Sequence, residues 1–296
     1  MSAGSSPNAT FALASGWRSS VSSEGRGFAP RPFVVMSSKS APYRVQVLDR
    51  AIAILNVLTC ATDNPSQTDL AAALHLHKST VYRLLSTLEG QRLIRRTQDG
   101  RYCLGVGLIE LGNRAMEQLK VGAHAGPYLQ QLVDDTSETA RISMLSGTEM
   151  TSIASAPGRW TLRRPSTIGH RTHVHCTSDG KAFAAFLPPI QLDALISKLR
   201  FERRTRRTIT TPVRLREELA RVRRRGFAVD DEEAELGLRC IAAPVRNSSG
   251  AVVASMSIAG PVFRIQKRRV AELAGVVMRA ADNLSADLGY RNDGKR

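Results

Sequence analysis

No part of the chain offers the roughly 18 continuous apolar residues that a membrane-spanning helix needs. Even the uncharged run 247–263 is interrupted by Asn247, Ser248, Ser249 and Gly250, so a soluble protein is expected. The four cysteines, Cys60, Cys103, Cys176 and Cys240, form no C-x-x-C pair, which points away from a disulfide framework and from a zinc ribbon. A reducing cytoplasm fits that usage best. Acidic residues are scarce, with 26 Asp and Glu against 42 Lys and Arg, a net charge of +16. Such an excess attracts polyanions, nucleic acid or an anionic membrane surface, without naming either. What remains is ample: 296 residues, 42% of them hydrophobic, are enough for about two domains.

Residues 1–43 are rich in Ser, Ala, Gly and Pro and carry one acid, Glu24, against Arg18, Arg26, Arg31 and Lys39. That composition predicts a disordered tail. It lacks the apolar core of a secretory signal, and Met36 opens M-S-S-K-S as a second candidate start of translation.

From residue 44 the pattern changes. Val45, Leu48, Ile52, Leu55 and Leu58 recur at helical spacing, predicting a helix that ends near Ala61. Ser66 followed three residues later by Asp69 reads as a capping box opening a short helix, 66–73. After a turn through Leu74–Leu76 a third helix, Lys78–Glu89, is expected to close on Gly90 as its C-terminal cap. Its apolar stripe is Val81, Leu84, Leu85 and Leu88; its other face offers Ser79, Thr80, Tyr82, Arg83 and Ser86. Next, L-I-R-R-T-Q-D-G-R-Y-C-L reads as a β-hairpin about the D-G pair, bearing Arg95, Arg96 and Arg101. Helix, helix, turn, helix and basic hairpin make a winged helix-turn-helix over 44–106. Lys78, Ser79, Thr80, Tyr82, Arg83 and Ser86 are then candidates for the major groove of double-stranded DNA, and the three hairpin arginines for its phosphates. Most of the basic excess lies elsewhere, in clusters such as 198–207 and 221–225 that read as solvated helix faces. Residues 107–120 carry a narrow stripe, Leu108, Leu111, Ala115 and Leu119, predicting a linker helix that pairs with its twin.

Over 121–290 short strands alternate with helices. Helices are expected at 128–136, from Asp179 to a stop at Pro188-Pro189, at 215–225 with Gly226 as cap, and at 270–288. Strands are expected at 140–145, 150–155, 240–244 and 252–258, with 167–176 extended. The class is α+β with a largely antiparallel sheet, and the arrangement suggests a sensor.

The segments S-T-V-Y-R-L-L-S-T-L-E, D-G-R-Y-C-L-G, T-S-D-G-K-A-F-A-A-F-L-P, G-F-A-V-D-D-E-E-A-E-L-G-L-R-C-I-A-A-P-V and S-I-A-G-P resemble, in order, the isocitrate lyase regulator (IclR) family of bacterial transcription factors. The resemblance covers about 45–290. It implies a winged helix, a linker helix and a C-terminal GAF-like domain that binds a small metabolite, commonly an organic acid, in a protein acting as a homodimer or a dimer of dimers. By motif, the implied effector-binding residues are Ser178, Asp179, Asp230, Leu238, Cys240 and Ser257, with Ser257 and loop N–H groups holding a carboxylate. Two positions depart from the family pattern: Ala259 stands where some relatives have serine, and Asp179 where many have a small or apolar residue. Arg171, with Arg163 or Arg164, is a further candidate to neutralise an acidic effector. His173, His175 and Cys240 are metal-ligating residue types, but no matching spacing supports them, and no metal or cofactor is expected. Nor is an enzyme built on Cys240 and His175, because the resemblance accounts for Cys240 as pocket lining. The alternative function is a sequence-nonspecific architectural DNA-binding protein.

Overall fold

The computed structural model describes residues 45–118, 120–165 and 167–291. The tail with Met36, and Leu119 of the linker stripe, lie outside them.

Three helices open the chain, α1 (Gln46–Cys60), α2 (Gln67–Leu74) and α3 (Lys78–Gly90), followed by the hairpin β1 (Ile94–Arg96) and β2 (Tyr102–Leu104). The capping box forms in full: Ser66 accepts from the Asp69 N–H, and the Asp69 carboxylate accepts from the Ser66 N–H at 2.8 Å. Val81, Leu84, Leu85 and Leu88 pack with Ile54, Leu70 and Ile94 in one small core. The hairpin turn places Gly100 at φ 79, which a glycine adopts without strain.

The end of α3 departs from expectation. Gly90 is its last helical residue, and the left-handed position falls two residues later on Arg92, φ 59. The Arg92 N–H donates to the Glu89 carbonyl and the Leu93 N–H to the Leu88 carbonyl. These two bonds define a Schellman motif with Arg92 in the usual glycine place. Leu93 and Leu88 join the same core, so tertiary packing decides where the helix stops. The Arg92 turn is clamped by two downstream glycines. Gly107 N–H donates to the Arg92 carbonyl at 2.9 Å, and a Cβ on Gly105 would lie 2.2 Å from that oxygen.

Helix α4 (Gly107–Gln118) continues directly from this clamp, and α5 (Lys120–Thr136) comes after it. The expected start of the second helix at Tyr128 is corrected, because α5 runs straight through Pro127. A proline inside a helix costs one backbone hydrogen bond and some strain, about 3 kcal/mol. Val121, Ala125, Leu129, Leu132 and Val133 are all buried in the main core, which offsets that cost.

The remaining elements are β3 (Thr139–Ser146), β4 (Glu149–Ala156), β5 (Arg171–His173), α6 (Ser178–Ala184), α7 (Pro189–Ile196), α8 (Pro212–Arg225), β6 (Ala228–Asp231), β7 (Leu238–Arg246), β8 (Val252–Pro261) and α9 (Val270–Asp287). Gly226 caps α8 at φ 85 as expected. The extended segment 167–176 is strand only at its centre, since Thr177 must turn to cap α6. The helix expected to run to Pro188-Pro189 stops earlier, at Ala184, and the prolines instead start α7, with Pro189 in the first turn where its missing N–H costs nothing.

The strands form one antiparallel sheet in the order β5-β4-β3-β8-β7-β6, the α+β, GAF-like arrangement expected. Alternation along each strand gives the sheet two unlike faces. Ala140, Ile142, Ile241, Ala243, Met256 and Ile258 point to α5 and α9 and form a dry core with Leu132 and Val277. The other face is overlaid by α6, with α8 beyond it. At one end it is apolar, where Met150, Ala228 and Ala242 meet Phe183, Leu215 and Val222. Through its centre it carries Arg141, Ser143, Ser152, Asp230, Cys240, Ser255 and Ser257, all buried.

Candidate functional site

On α3, Lys78, Ser79, Tyr82, Arg83 and Ser86 are exposed and Thr80 is half-buried. Tyr82 keeps 60% of its surface open to solvent. Ser79 is partly committed, for its hydroxyl lies 2.7 Å from His77 Nδ1, and the His77 ring also caps the helix start. On the hairpin, Arg95 points outward, whereas Arg96 turns back to the Gly100 carbonyl and the Tyr102 ring. Arg101 donates to the Asn64 carbonyl at 2.9 Å and pairs with Asp99 at 3.4 Å. Those contacts brace the hairpin against the start of α2 while leaving the guanidinium exposed.

In the larger half the residues singled out by motif converge. Ser178 and Asp179 form the first turn of α6, under the Thr177 cap, and both are fully buried. Asp230 pairs with Cys240 across β6 and β7, and Ser257 sits opposite Ala242 on β8. Leu238, two residues from Cys240 on the same face, is half-buried at the rim. Asp179 ties the helix to the sheet: its Oδ1 accepts from Ser255 Oγ at 3.5 Å and its Oδ2 lies 3.4 Å from Arg141 Nη2.

Two residues central to this face were not singled out from the sequence. Arg141 is the charged partner of Asp179 and lies opposite Ser257. Lys181, wholly buried, donates from Nζ to the Val229 carbonyl at 2.6 Å and to the Glu233 carboxylate. Burial pushes the Glu233 carboxyl up, against the pull of Lys181. Burial likewise pushes the Cys240 thiol up to about 12, reinforced by the Asp230 carboxylate. A thiol held protonated in this way is a poor nucleophile.

The three basic candidates separate. Arg171 pairs with Glu149 on the neighbouring strand at 3.4 Å, and exposed Arg163 donates to the Trp160 carbonyl. Arg164 is half-buried, 3.5 Å from His170 Nε2, and its charge acts on Arg141, Asp230 and Cys240. His175 Nε2 lies 3.0 Å from the Glu202 carbonyl. Among the described residues no group of three His, Cys, Asp or Glu is placed to hold a metal ion.

Burial also pushes Asp230 up to about 6, opposed by Lys181 and by the N–H groups of Glu233 and Ala234 that its carboxylate accepts. A carboxyl raised in the folded state stabilises that state fully only below its unfolded value, and the contribution is lost as pH rises through the folded value. From 3.8 to about 6 the loss is about 3 kcal/mol. Urea unfolding of Asp230→Asn between pH 4 and 8 (set by that window) should therefore show a flatter decline of stability with rising pH than the natural chain. Parallel curves would refute this.

The small helical unit with its basic hairpin, and the sheet with one polar buried face, each match a known domain. Residues 47–98 match the IclR helix-turn-helix domain and residues 113–286 the bacterial transcriptional regulator IclR C-terminal domain. The chain belongs to the IclR family. Among its relatives this IclR-family chain is 32% identical over 250 residues to the HTH-type transcriptional regulator BhcR of Paracoccus denitrificans, covering 84% of this chain and 89% of that one. It is 30% identical over 257 residues to the transcriptional repressor IclR of Escherichia coli strain K12, covering 86% and 94%. The crystal structure of the Thermotoga maritima IclR superposes with a TM-score of 0.71 at 28% identity, covering 83% of this chain and all of that one. The chain is accordingly a transcriptional regulator that binds DNA, and its relatives carry regulator and repressor names, not those of enzymes. Nothing in these relatives supports the architectural reading. No described helix is long and apolar enough to cross a membrane.

Proposed function

We propose that this regulator works in the cytoplasm as a homodimer, alone or paired again, that binds a near-palindromic operator and changes its grip when a small organic acid occupies the polar face beneath α6. The observation that carries the reading is the outward face of α3, where Tyr82, Arg83 and Ser86 stand exposed on a helix whose opposite side is locked in the core. Short polar side chains and a guanidinium suit base edges in the major groove. Arg95 and the hairpin beside them suit phosphates.

Exposed apolar side chains support pairing. Val45, Val47, Leu48 and Ile52 on and before α1, and Ile109 and Leu111 on α4, are large and open to solvent, a pattern that marks interaction surfaces. A twofold pair would set its two reading helices about 34 Å apart or a multiple of it along the DNA. Ser178, Asp179, Asp230, Leu238, Cys240 and Ser257 are proposed to line the effector site. An effector can alter operator affinity only by as much as it prefers one arrangement of the two reading heads.

Arg83→Ala tests the reading. Operator binding by gel shift or fluorescence anisotropy should weaken by about 1 to 3 kcal/mol, with specificity relaxed at one base position. Equal loss on operator and unrelated DNA would make Arg83 a phosphate contact, and no loss on either would remove α3 from the interface.

A further inference from the structure

The described residues contain two arginines buried in the sheet, and they are treated very differently. Arg239 spends its donors on the Asp231 carboxylate and on the carbonyls of Val262 and Ile265. Arg141 is only 7% exposed, yet its guanidinium makes no hydrogen bond within the described residues. Its one charged neighbour, Asp179 Oδ2, stands at 3.4 Å without hydrogen-bond geometry. A guanidinium has five N–H donors and cannot shed its charge, so leaving them without acceptors in a nearly closed interior is costly.

Three acceptor-capable atoms on the sheet's polar face and on α6 above it also lack partners. Asp179 Oδ2, Ser178 Oγ and Ser257 Oγ are buried without a hydrogen-bond partner, and Ser257 lies directly across the ladder from Arg141. Donors and acceptors left unpaired on one polar face are the chemistry of a site that takes a polar ligand. That molecule must accept from Arg141 and donate to Asp179. A carboxylate matches the planar fork of a guanidinium and gains a charge-assisted bond there. The donor is better a hydroxyl than an ammonium, since Arg164 and Lys181 already supply positive charge nearby and a hydroxyl costs less to desolvate.

We propose that Arg141 and Asp179 select the effector, and that it is a hydroxycarboxylate: the carboxylate lies on Arg141 and Ser257, and the hydroxyl donates to Asp179 Oδ2. This rests on the reading of the polar face as the effector site and narrows it to one chemical class.

The test is calorimetric titration and thermal melting of the full chain with two matched sets: lactate, propionate and lactamide, then mandelate, phenylacetate and mandelamide. In at least one set the hydroxy acid should bind about tenfold or more tighter than the acid lacking the hydroxyl and than the amide, because a site built to hydrogen-bond a group rejects the analogue without it. Arg141→Gln with Asp179→Asn together keeps the shape of the pair without charge and should erase the discrimination. Arg141→Lys, which keeps the charge but loses the fork, should retain a weakened preference for acid over amide. Equal binding of acid and amide by the natural chain, no response to any of the six compounds, or a double variant that still discriminates would each overturn the proposal. Operator binding measured in parallel separates the two readings. Selective acid binding that leaves operator affinity unchanged sinks the regulatory role of the site but not its ligand chemistry; a change produced only by an uncharged compound does the reverse.

Discussion

Replacing Gly180 by alanine is expected to disrupt the effector half of the chain and to lower its stability by about 3 kcal/mol or more. A Cβ at that position would lie 2.4 Å from both the Cα and the carbonyl oxygen of Val174, backbone atoms that no side-chain rotation can move aside. Alanine ordinarily favours a helix over glycine by about 1 kcal/mol, so the clash wins. The contact exists because the segment leading out of β5 turns through Thr177, which caps α6 by accepting from the Gly180 N–H at 3.2 Å. This brings the first turn of the helix down on Val174. Chemical unfolding followed by far-UV circular dichroism checks the result. A variant as stable as the natural chain would mean that α6 can lift from the sheet without penalty.

The second large effect is expected at Lys181. Lys181→Met keeps most of the volume but leaves the buried Glu233 carboxylate and the Val229 carbonyl without their donor. Breaking one side of a buried ion pair costs about 3 to 5 kcal/mol, whereas removing both partners is often close to neutral. The single variant should therefore melt far below the natural chain, and Lys181→Met combined with Glu233→Gln should recover much of the difference. The single variant should also suffer less in acid, where Glu233, already pushed up by burial, takes a proton and no longer needs the cation. Additive losses in the double variant would show that Lys181 acts through packing alone.

The parts legible in the sequence are those governed by local chemistry. Ser66 with Asp69, the four-residue stripe of α3, Gly226 after α8 and the short apolar run from Cys240 to Pro244 each carry their own physical reason within a few residues. The family motifs added Ser178 and Asp179, which open α6, and Asp230 and Ser257 on the sheet face that α6 covers. Long-range packing hid the rest. Pro127 reads as a helix start until the buried residues on both sides of it are seen in one core. Arg92 does not look like a left-handed residue, because the glycines that hold it come thirteen and fifteen positions later. Arg141 sits in an alternating run, A-R-I-S-M, where every second side chain should face water. It faces a helix instead, since the sheet is covered on both sides, and no local pattern announces a second cover. Lys181 is hidden for the same reason.

The clamp on Arg92 joins the DNA reader to the linker helix. Gly107, the residue that donates to the Arg92 carbonyl, is also the first residue of α4, and Glu110 one turn later pairs with the Arg92 guanidinium at 3.1 Å. A tilt of α4 would therefore pull on Arg92, two residues past the end of α3, and on the proposed reading it would pass into the angle at which Tyr82 and Arg83 meet DNA.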